Sequence, residues 1–143
     1  MTAFPTAYPA KPVLDALRKE PAPRKLCLIE GMAGSGKSTF SRSLAKAWGP
    51  GALILSTDAF IRITRHEWAA RLAEGNIDLC AWYDLEKIDQ AVHQFFEGER
   101  MVLEGIYNLA NGQHDLTVTH DTSALDLLIV EGLFAFDEHF HSR

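Results

Sequence analysis

The feature that most constrains this chain is the segment Gly31–Ser38, which has the pattern G-x-x-x-x-G-K-S. This spacing is that of the P-loop, a glycine-rich loop that binds phosphate. Its glycines let the backbone turn tightly and bring N–H groups close to a polyphosphate. An apolar run, Lys25–Glu30, comes before the motif and predicts a buried parallel strand. The segment Thr39–Trp48 follows it and predicts a helix, so the motif has the strand–loop–helix context that it requires.

The motif therefore predicts a nucleotide-binding site. Its residues are Gly31, Met32, Ala33, Gly34, Ser35, Gly36, Lys37, Ser38 and Thr39. The helix that starts near Lys37 would point the positive end of its dipole at the phosphates. Lys37 would add a mobile positive charge for the β- and γ-phosphates of ATP, and the hydroxyl of Ser38 would be a ligand of Mg²⁺.

Two further apolar runs predict buried strands, and an acidic residue lies at or just after the end of each run. The first, Ala52–Ser56, is followed by Thr57 and Asp58. In open α/β sheets the carboxyl ends of the strands face the ligand, so Asp58 would lie at the same edge as the P-loop. The alternative is that Asp58 only caps the turn that follows the strand.

The second run, Leu125–Gly132, contains four apolar residues followed by Glu131. This pattern resembles the second signature of P-loop proteins, whose acid holds Mg²⁺ directly or through water. Glu131 could instead cap Gly132, but the presence of a P-loop favours the metal role. The similar run Met101–Gly105 is the weaker candidate, because it precedes a predicted hairpin and is less apolar.

Other patterns predict the remaining elements. Thr64 and Glu67 form a T-x-x-E capping box that predicts the start of a helix. Three more elements are expected: a short helix over Pro12–Glu20, a helix over Leu85–Glu97 capped by Asp84, and a hairpin of Met101–Tyr107 and His114–Thr119 around Asn111-Gly112. The hairpin is expected to project from the sheet rather than extend it.

Composition excludes several classes of protein. The chain has 143 residues and a net charge of −5 without a basic cluster, which argues against nucleic acid as the main partner. Its two cysteines are typical of a reducing compartment, and its six histidines show no zinc-ligand spacing. No apolar run is long enough to cross a membrane, so we expect a cytoplasmic protein with no membrane partner.

Among P-loop proteins, the chain lacks the D-x-x-G and N-K-x-D strings of GTPases and the LSGGQ string of ABC ATPases. It is also too short for the large motor ATPases, which leaves a small kinase. The ordered motifs then resemble the uridine kinase and phosphoribulokinase group of P-loop kinases. These motifs are G-M-A-G-S-G-K-S-T at 31–39, S-T-D-A-F at 56–60, G-I-Y-N at 105–108 and L-I-V-E-G-L-F at 128–134.

The resemblance covers roughly residues 26–136 and implies an α/β fold, the three-layer P-loop sandwich with a parallel sheet at its core. It implies ATP-dependent transfer of phosphate to a small-molecule hydroxyl, with a nucleoside as the first candidate acceptor and ATP and Mg²⁺ as cofactors. By the same resemblance, Asp58 activates the acceptor hydroxyl, Glu131 serves Mg²⁺ and Tyr107 touches the substrate. Asp84 and His114 fall near further substrate positions, but their surrounding spacing differs and neither role is carried over.

The family continues beyond the third strand with a helix, an arginine-bearing lid and two more strands, whereas this sequence stops at Arg143. We therefore expect an N-terminal arm and short helix over 1–23 and a kinase core over 24–143 that is incomplete at its C-terminus. The first strand would become an edge, so self-association into a homo-oligomer is expected. Weak activity is expected because the lid arginines, which would neutralise charge on the transferring phosphate, have no counterpart. Two other functions stay open: a nucleotide-binding module without catalysis, and an NTP hydrolase.

Overall fold

The computed structural model describes residues 9–31, 34–75 and 82–132, and the side chain of Arg65 is not among the parts described. These residues form four α-helices, a short 3₁₀ helix and five strands. In chain order the elements are α1 (Lys11–Lys19), β1 (Lys25–Glu30), α2 (Lys37–Trp48), β2 (Ala52–Ser56), the 3₁₀ helix (Thr57–Phe60), α3 (Arg65–Ala73), α4 (Leu85–Glu97), β3 (Met101–Asn108), β4 (Gln113–His120) and β5 (Leu127–Gly132).

The contacts divide the described chain into two compact units. The first contains residues 9–55 and 124–132, and the second contains residues 56–123. The first unit holds a parallel sheet with the order β1-β5-β2, so the α/β class with a parallel sheet is confirmed. β1 and β5 pair in register from Lys25 opposite Leu127 to Glu30 opposite Gly132.

Helices α1 and α2 cover one face of this sheet. The buried centre of the cluster consists of Leu14, Leu44, Leu127 and Ile129. Half-buried side chains from both helices and from β1 and β2 surround it. Leu44 is fully buried, which contributes about 1.5–3 kcal/mol for a side chain of this kind. The alternation of Cys27 and Ile29 on β1 places both toward this cluster, and burial raises the pKa of the Cys27 thiol.

The start of the sheet is held by hydrogen bonds around Asp126. Its N–H donates to the carbonyl of Gly51, and its carbonyl accepts from the N–H of Lys25 at 2.9 Å. Its carboxylate accepts from the indole N–H of Trp48 at 2.7 Å. Asp126 therefore connects the last turn of α2 and the first residue of β1 with Gly51, the residue just before β2.

In the second unit, α4 packs against β3 and the 3₁₀ helix. Its apolar residues recur at helical spacing, and four of them are buried: Ile88, Ala91, Val92 and Phe95. The predicted capping residues are also in place, since Asp84 accepts from the N–H of Lys87 at 3.1 Å. At α3, Thr64 and Glu67 bond to each other's backbone N–H groups, as the capping box predicts.

β3 and β4 form the predicted hairpin, and they make a two-stranded antiparallel sheet of their own. Each strand is one residue longer than expected at the turn, and β5 begins two residues later than the apolar run at Leu125 suggests. Leu125 precedes Asp126, whose backbone is already used to start the sheet. No helix in the described ranges is long and apolar enough to cross a membrane.

Phe95 provides a test of the core of the second unit. It is fully buried, whereas its neighbour Phe96 is 37% exposed. We expect Phe95→Ala to lower the free energy of unfolding by about 3–5 kcal/mol, because the truncation leaves a cavity that the helix cannot fill. Phe96→Ala removes the same atoms from the same helix and should cost much less. Urea unfolding of both variants measures the difference, and equal losses would contradict this assignment of the core.

Candidate active site

The P-loop site is built by the end of β1, the loop that follows it and the first turn of α2. Gly34 and Gly36 have φ angles of 79° and 89°, a conformation that residues with a Cβ rarely adopt. Gly36 is the N-cap of α2, and no side chain caps this helix. The first N–H groups of α2 therefore remain available to an anion. Met32 and Ala33 lie outside the described residues.

Lys37 is the first residue of α2, and its side chain is half-buried. Within the described ranges, no carboxylate lies within ion-pair distance of its ammonium group. A cavity of about 470 Å³ borders the loop at this point. It is walled by Gly31, Ser35, Gly36 and Lys37, together with the apolar side chains of Val13, Ile29 and Phe40. The site thus combines the ammonium group of Lys37, backbone N–H groups without side-chain caps, and an apolar wall.

Glu131 lies beside this turn because β5 pairs with β1, which leads into the P-loop. The hydroxyl of Ser38 lies 3.4 Å from Oε1 of Glu131. This separation is long for an O–H···O hydrogen bond. Glu131 is only 6% exposed, and among the described residues its Oε2 has no hydrogen-bond partner. A buried carboxylate with an unsatisfied oxygen is costly unless a cation or a donor is bound there.

The oxygen atoms at this position fit Mg²⁺, which prefers oxygen ligands. Mg²⁺ usually takes only one or two of its ligands from the protein. Ser38 and Glu131 would supply two protein oxygens, and the remaining ligands would come from phosphate and water. Among the described residues, no group of three or more His, Cys, Asp or Glu side chains could hold a metal ion by itself. The metal role of Ser38 and Glu131 is therefore compatible with a bound nucleotide and stays a prediction.

Asp58 lies in the second unit, in the 3₁₀ helix directly after β2, and its side chain is exposed. The N–H of Asp58 donates to Oγ of Ser56 at 3.3 Å, which caps the turn from the side of the preceding strand. Burial, together with the charge and hydrogen bond of Asp58, raises the pKa of Tyr83 to about 12.

Polar side chains also line a cavity of about 260 Å³ in the second unit. They are Arg62, Asp84, Lys87 and His114. Arg62 contacts the carboxylate of Asp84 at 3.4 Å, and Nε2 of His114 lies 2.7 Å from the carbonyl oxygen of Ile61. Phe60 and Ile61 contribute apolar walls. Such a cavity, with both charges and apolar surface, has the composition of a small-molecule site.

Tyr107 is buried on β3 and packs edge-to-face against His114, with ring centroids 5.4 Å apart. The structure thus brings Ser38 to Glu131 and brings Tyr107 to His114, whereas Asp58 bonds through its N–H to Ser56 and contributes to the raised pKa of Tyr83. Sequence reasoning missed Tyr83, which carries no motif. The only available signal is its position immediately before the helix cap Asp84. Sequence reasoning also left Arg62, Asp84 and His114 without a site role, and the cavity brings them together.

Comparisons with known proteins identify the fold. No family profile matches this sequence. No curated protein matches it either. Solved structures do match. One, from Bacillus stearothermophilus, is described as a possible uridine kinase and aligns with a TM-score of 0.74 and 20% identity. The alignment covers 93% of this chain and 74% of that one.

A second match is the D-glycerate 3-kinase from Cryptococcus neoformans var. grubii, with a TM-score of 0.55 and 20% identity. It covers 87% of this chain but only 49% of the glycerate kinase, so the chain spans about half of that enzyme's length. Both alignments cover more than four fifths of this chain. The chain therefore has the fold of the P-loop small-molecule kinases.

Proposed function

We propose that this chain is an ATP-dependent phosphotransferase that acts on a hydroxyl group of a small molecule, with a nucleoside such as uridine or cytidine as the first candidate. The observation that carries the proposal is that Ser38, at the start of α2, lies beside the buried Glu131 of β5. This arrangement suits Mg-ATP, and the chain has a fold that it shares with small-molecule kinases.

The proposal assigns the phosphate donor to the first unit. The N–H groups of the P-loop and the ammonium group of Lys37 bind the β- and γ-phosphates, and Ser38 and Glu131 hold Mg²⁺. When bound, Mg²⁺ neutralises charge on the phosphate oxygens. Catalysis of this kind depends mainly on positioning and charge stabilisation, because the protein forms no covalent bond with the phosphoryl group.

The resemblance of the motifs assigns the acceptor hydroxyl to Asp58. Asp58 orients the acceptor hydroxyl and takes its proton while the hydroxyl oxygen forms a bond to the γ-phosphorus. The bond from that phosphorus to the bridging oxygen breaks, and ADP leaves. The cavity beside Arg62, Asp84 and His114 would hold the rest of the acceptor, and Tyr107 would support it through its contact with His114.

The choice of a nucleoside rests on the resemblance of the motifs and on the similarity to the possible uridine kinase from Bacillus stearothermophilus. Because a D-glycerate kinase has the same fold, the acceptor panel should contain D-glycerate beside uridine, cytidine and other nucleosides. Analysis of the products separates the rival functions. A phosphorylated acceptor supports the kinase, free phosphate alone indicates an NTP hydrolase, and ATP binding without turnover indicates a binding module.

The first prediction concerns ATP binding by Lys37. Lys37→Ala should weaken Mg-ATP binding by about 10- to 100-fold, because a hydrogen bond to a charged group contributes about 1.5–3 kcal/mol and 1.4 kcal/mol is tenfold in affinity. Titration calorimetry measures it. Lys46→Ala, which removes an exposed charge from the last turn of the same helix, is the matched control and should bind normally. Equal affinity of the two variants would contradict the assignment of the P-loop.

The second prediction concerns Glu131 and Mg²⁺. Glu131→Gln keeps the shape of the side chain but removes its charge, so it should weaken ATP binding in the presence of Mg²⁺ by several-fold. In EDTA the variant and the wild type should bind ATP equally, because the lost contribution acts through the metal. Calorimetry with and without Mg²⁺ gives both values. An equal loss in EDTA would show that Glu131 acts on the loop and not on the ion.

The third prediction concerns Asp58. Asp58→Asn should leave ATP binding unchanged and lower kcat by about 10²-fold or more, because a positioned general base contributes about 10²–10⁴. Glu97→Gln removes an exposed carboxylate from α4 in the same unit and should retain full activity. A coupled assay with the best acceptor of the panel measures both. Normal turnover of Asp58→Asn would show that Asp58 is only a cap.

A further inference from the structure

The cavity beside the P-loop is larger than the phosphate groups of a nucleotide require. Its volume is about 470 Å³, which lies within the usual range of about 300–1,000 Å³ for small-molecule sites. One part of its wall is the P-loop itself, and the other part consists mainly of apolar side chains. Phosphates would bind at the first part, where N–H groups and an ammonium group face them. The apolar part is therefore left for a different portion of the ligand.

Three elements of the first unit supply the apolar wall. They contribute Val13 from α1, Ile29 from β1 and Phe40 from α2. All three side chains are half-buried, and all three pack against the buried cluster of Leu14, Leu44, Leu127 and Ile129. Each side chain thus has one side in the core, while the rest of its surface borders the cavity. Covering that apolar surface with an apolar group of a ligand is favourable.

Helix α1 brings Val13 to this position. Leu14 of α1 is buried and Leu17 is half-buried against the same cluster, so this face of the helix packs on the core. The helix also contacts α2, which carries Phe40. The resemblance of the motifs covers roughly residues 26–136 and does not include α1, so it assigns no role to this helix. Only the tertiary structure places α1 beside the P-loop.

A nucleotide has the two chemical parts that this cavity requires. The proposed function places the β- and γ-phosphates at the P-loop and at Lys37, and the ribose and the base continue from the α-phosphate beyond them. The base is a flat ring, and the stacking of bases on aromatic side chains is favourable for every base because each has a π face. Phe40 supplies an aromatic ring for this purpose, and Val13 and Ile29 supply aliphatic surface.

The lining disfavours other occupants. Glu30 is an exposed carboxylate of the lining, so it would repel a second anion but can accept a hydrogen bond from a hydroxyl or amino group. Asp58 and Tyr107, which the resemblance assigns to the acceptor, are not among the described residues that line this cavity. The uncharged part of the donor nucleotide therefore fits the cavity better than an anion or the acceptor.

We propose that this cavity is the site of the adenine ring of the donor nucleotide, with Val13 of α1 and Phe40 of α2 in contact with the ring. The inference rests on the proposed function, because it requires the P-loop to bind the phosphates of ATP. It adds the helix before the first strand to the nucleotide site. Its test needs binding alone and no enzyme activity.

The binding test compares Mg-ATP with magnesium tripolyphosphate, which has the phosphates but no ribose or base. Phe40→Ala should weaken Mg-ATP binding by about tenfold, because it removes the aromatic surface. Val13→Ala should weaken it several-fold, because it removes two methyl groups from the wall. Both variants should bind tripolyphosphate as the wild type does. Titration calorimetry measures the affinities for both ligands.

Leu17→Ala is the matched control. Leu17 lies on the same helix as Val13 and packs against the same cluster, but it does not border the cavity. This variant should bind both ligands normally, whereas an effect that acts through the packing of α1 would also appear here. Phe40→Leu preserves an apolar side chain in the core and removes only the aromatic ring. It keeps the test informative if Phe40→Ala does not fold.

A second measurement uses the wild-type protein. In the complex with Mg-ATP, NMR of protein with protonated Val and Ile methyl groups in a deuterated background should show nuclear Overhauser effects to H2 or H8 of adenine. Comparison with Val13→Ala assigns the signals of Val13. Contacts from the methyl groups of Val13 to the adenine protons are expected, because the side chain borders the cavity.

The outcomes separate this inference from the proposed function. Losses in Val13→Ala and Phe40→Leu that are confined to ATP, together with the contacts from Val13 to adenine, support the inference. Equal losses for ATP and tripolyphosphate, equal losses in Leu17→Ala, or adenine protons without contacts to Val13 overturn it. In each of these cases the P-loop still binds phosphate, so the proposed function stands. A wild-type protein that binds neither ligand overturns both.

Discussion

The parallel pairing of β1 with β5 is the constraint on which the candidate phosphate site depends. Ile29 lies opposite Glu131, and Glu30 lies opposite Gly132. Parallel strands in register end together, so the loop after β1 and the acid at the end of β5 reach the same end of the sheet. A slip of one residue would turn Glu131 to the opposite face. The same slip would also turn Leu127 and Ile129 of β5 away from the helices that they pack against.

The same pairing buries a carboxylate, which is unfavourable by itself. Glu131 is 6% exposed and makes one long contact, with Ser38. A residue selected only for stability at this position would be apolar, like the preceding residues of β5, all of which are fully buried. A locally unfavourable choice in an otherwise consistent strand is typical of a functional site. The proposed Mg²⁺ would supply the compensating charge.

The second unit depends on short pairings between segments distant in sequence. Asp84 has two roles there, because its Oδ1 accepts from the first turn of α4 and also contacts Arg62. The contact with Arg62 is partly exposed and contributes little to stability. Its value is positional, since it places a cation at the wall of the cavity. Helix capping, the antiparallel backbone bridge of Ile61 with Tyr83 and the contact of His114 with Ile61 thus arrange the polar groups of the candidate acceptor site.

The sequence by itself determined the elements whose signals are local. The glycine pattern of the P-loop, the apolar runs of the strands, the capping box at Thr64 and the Asn111-Gly112 turn each require a particular backbone conformation within a few residues. For this reason Lys37 and Ser38 could be predicted as phosphate and metal residues, and the α/β class, which the structure confirms, could be predicted too. The tertiary structure alone decided the contacts between distant segments: Ser38 with Glu131, the backbone bridge of Ile61 with Tyr83, and His114 with Ile61. Such contacts depend on strand order, register and the bridge at Tyr83, which arise from packing over the whole unit and leave no pattern in neighbouring residues.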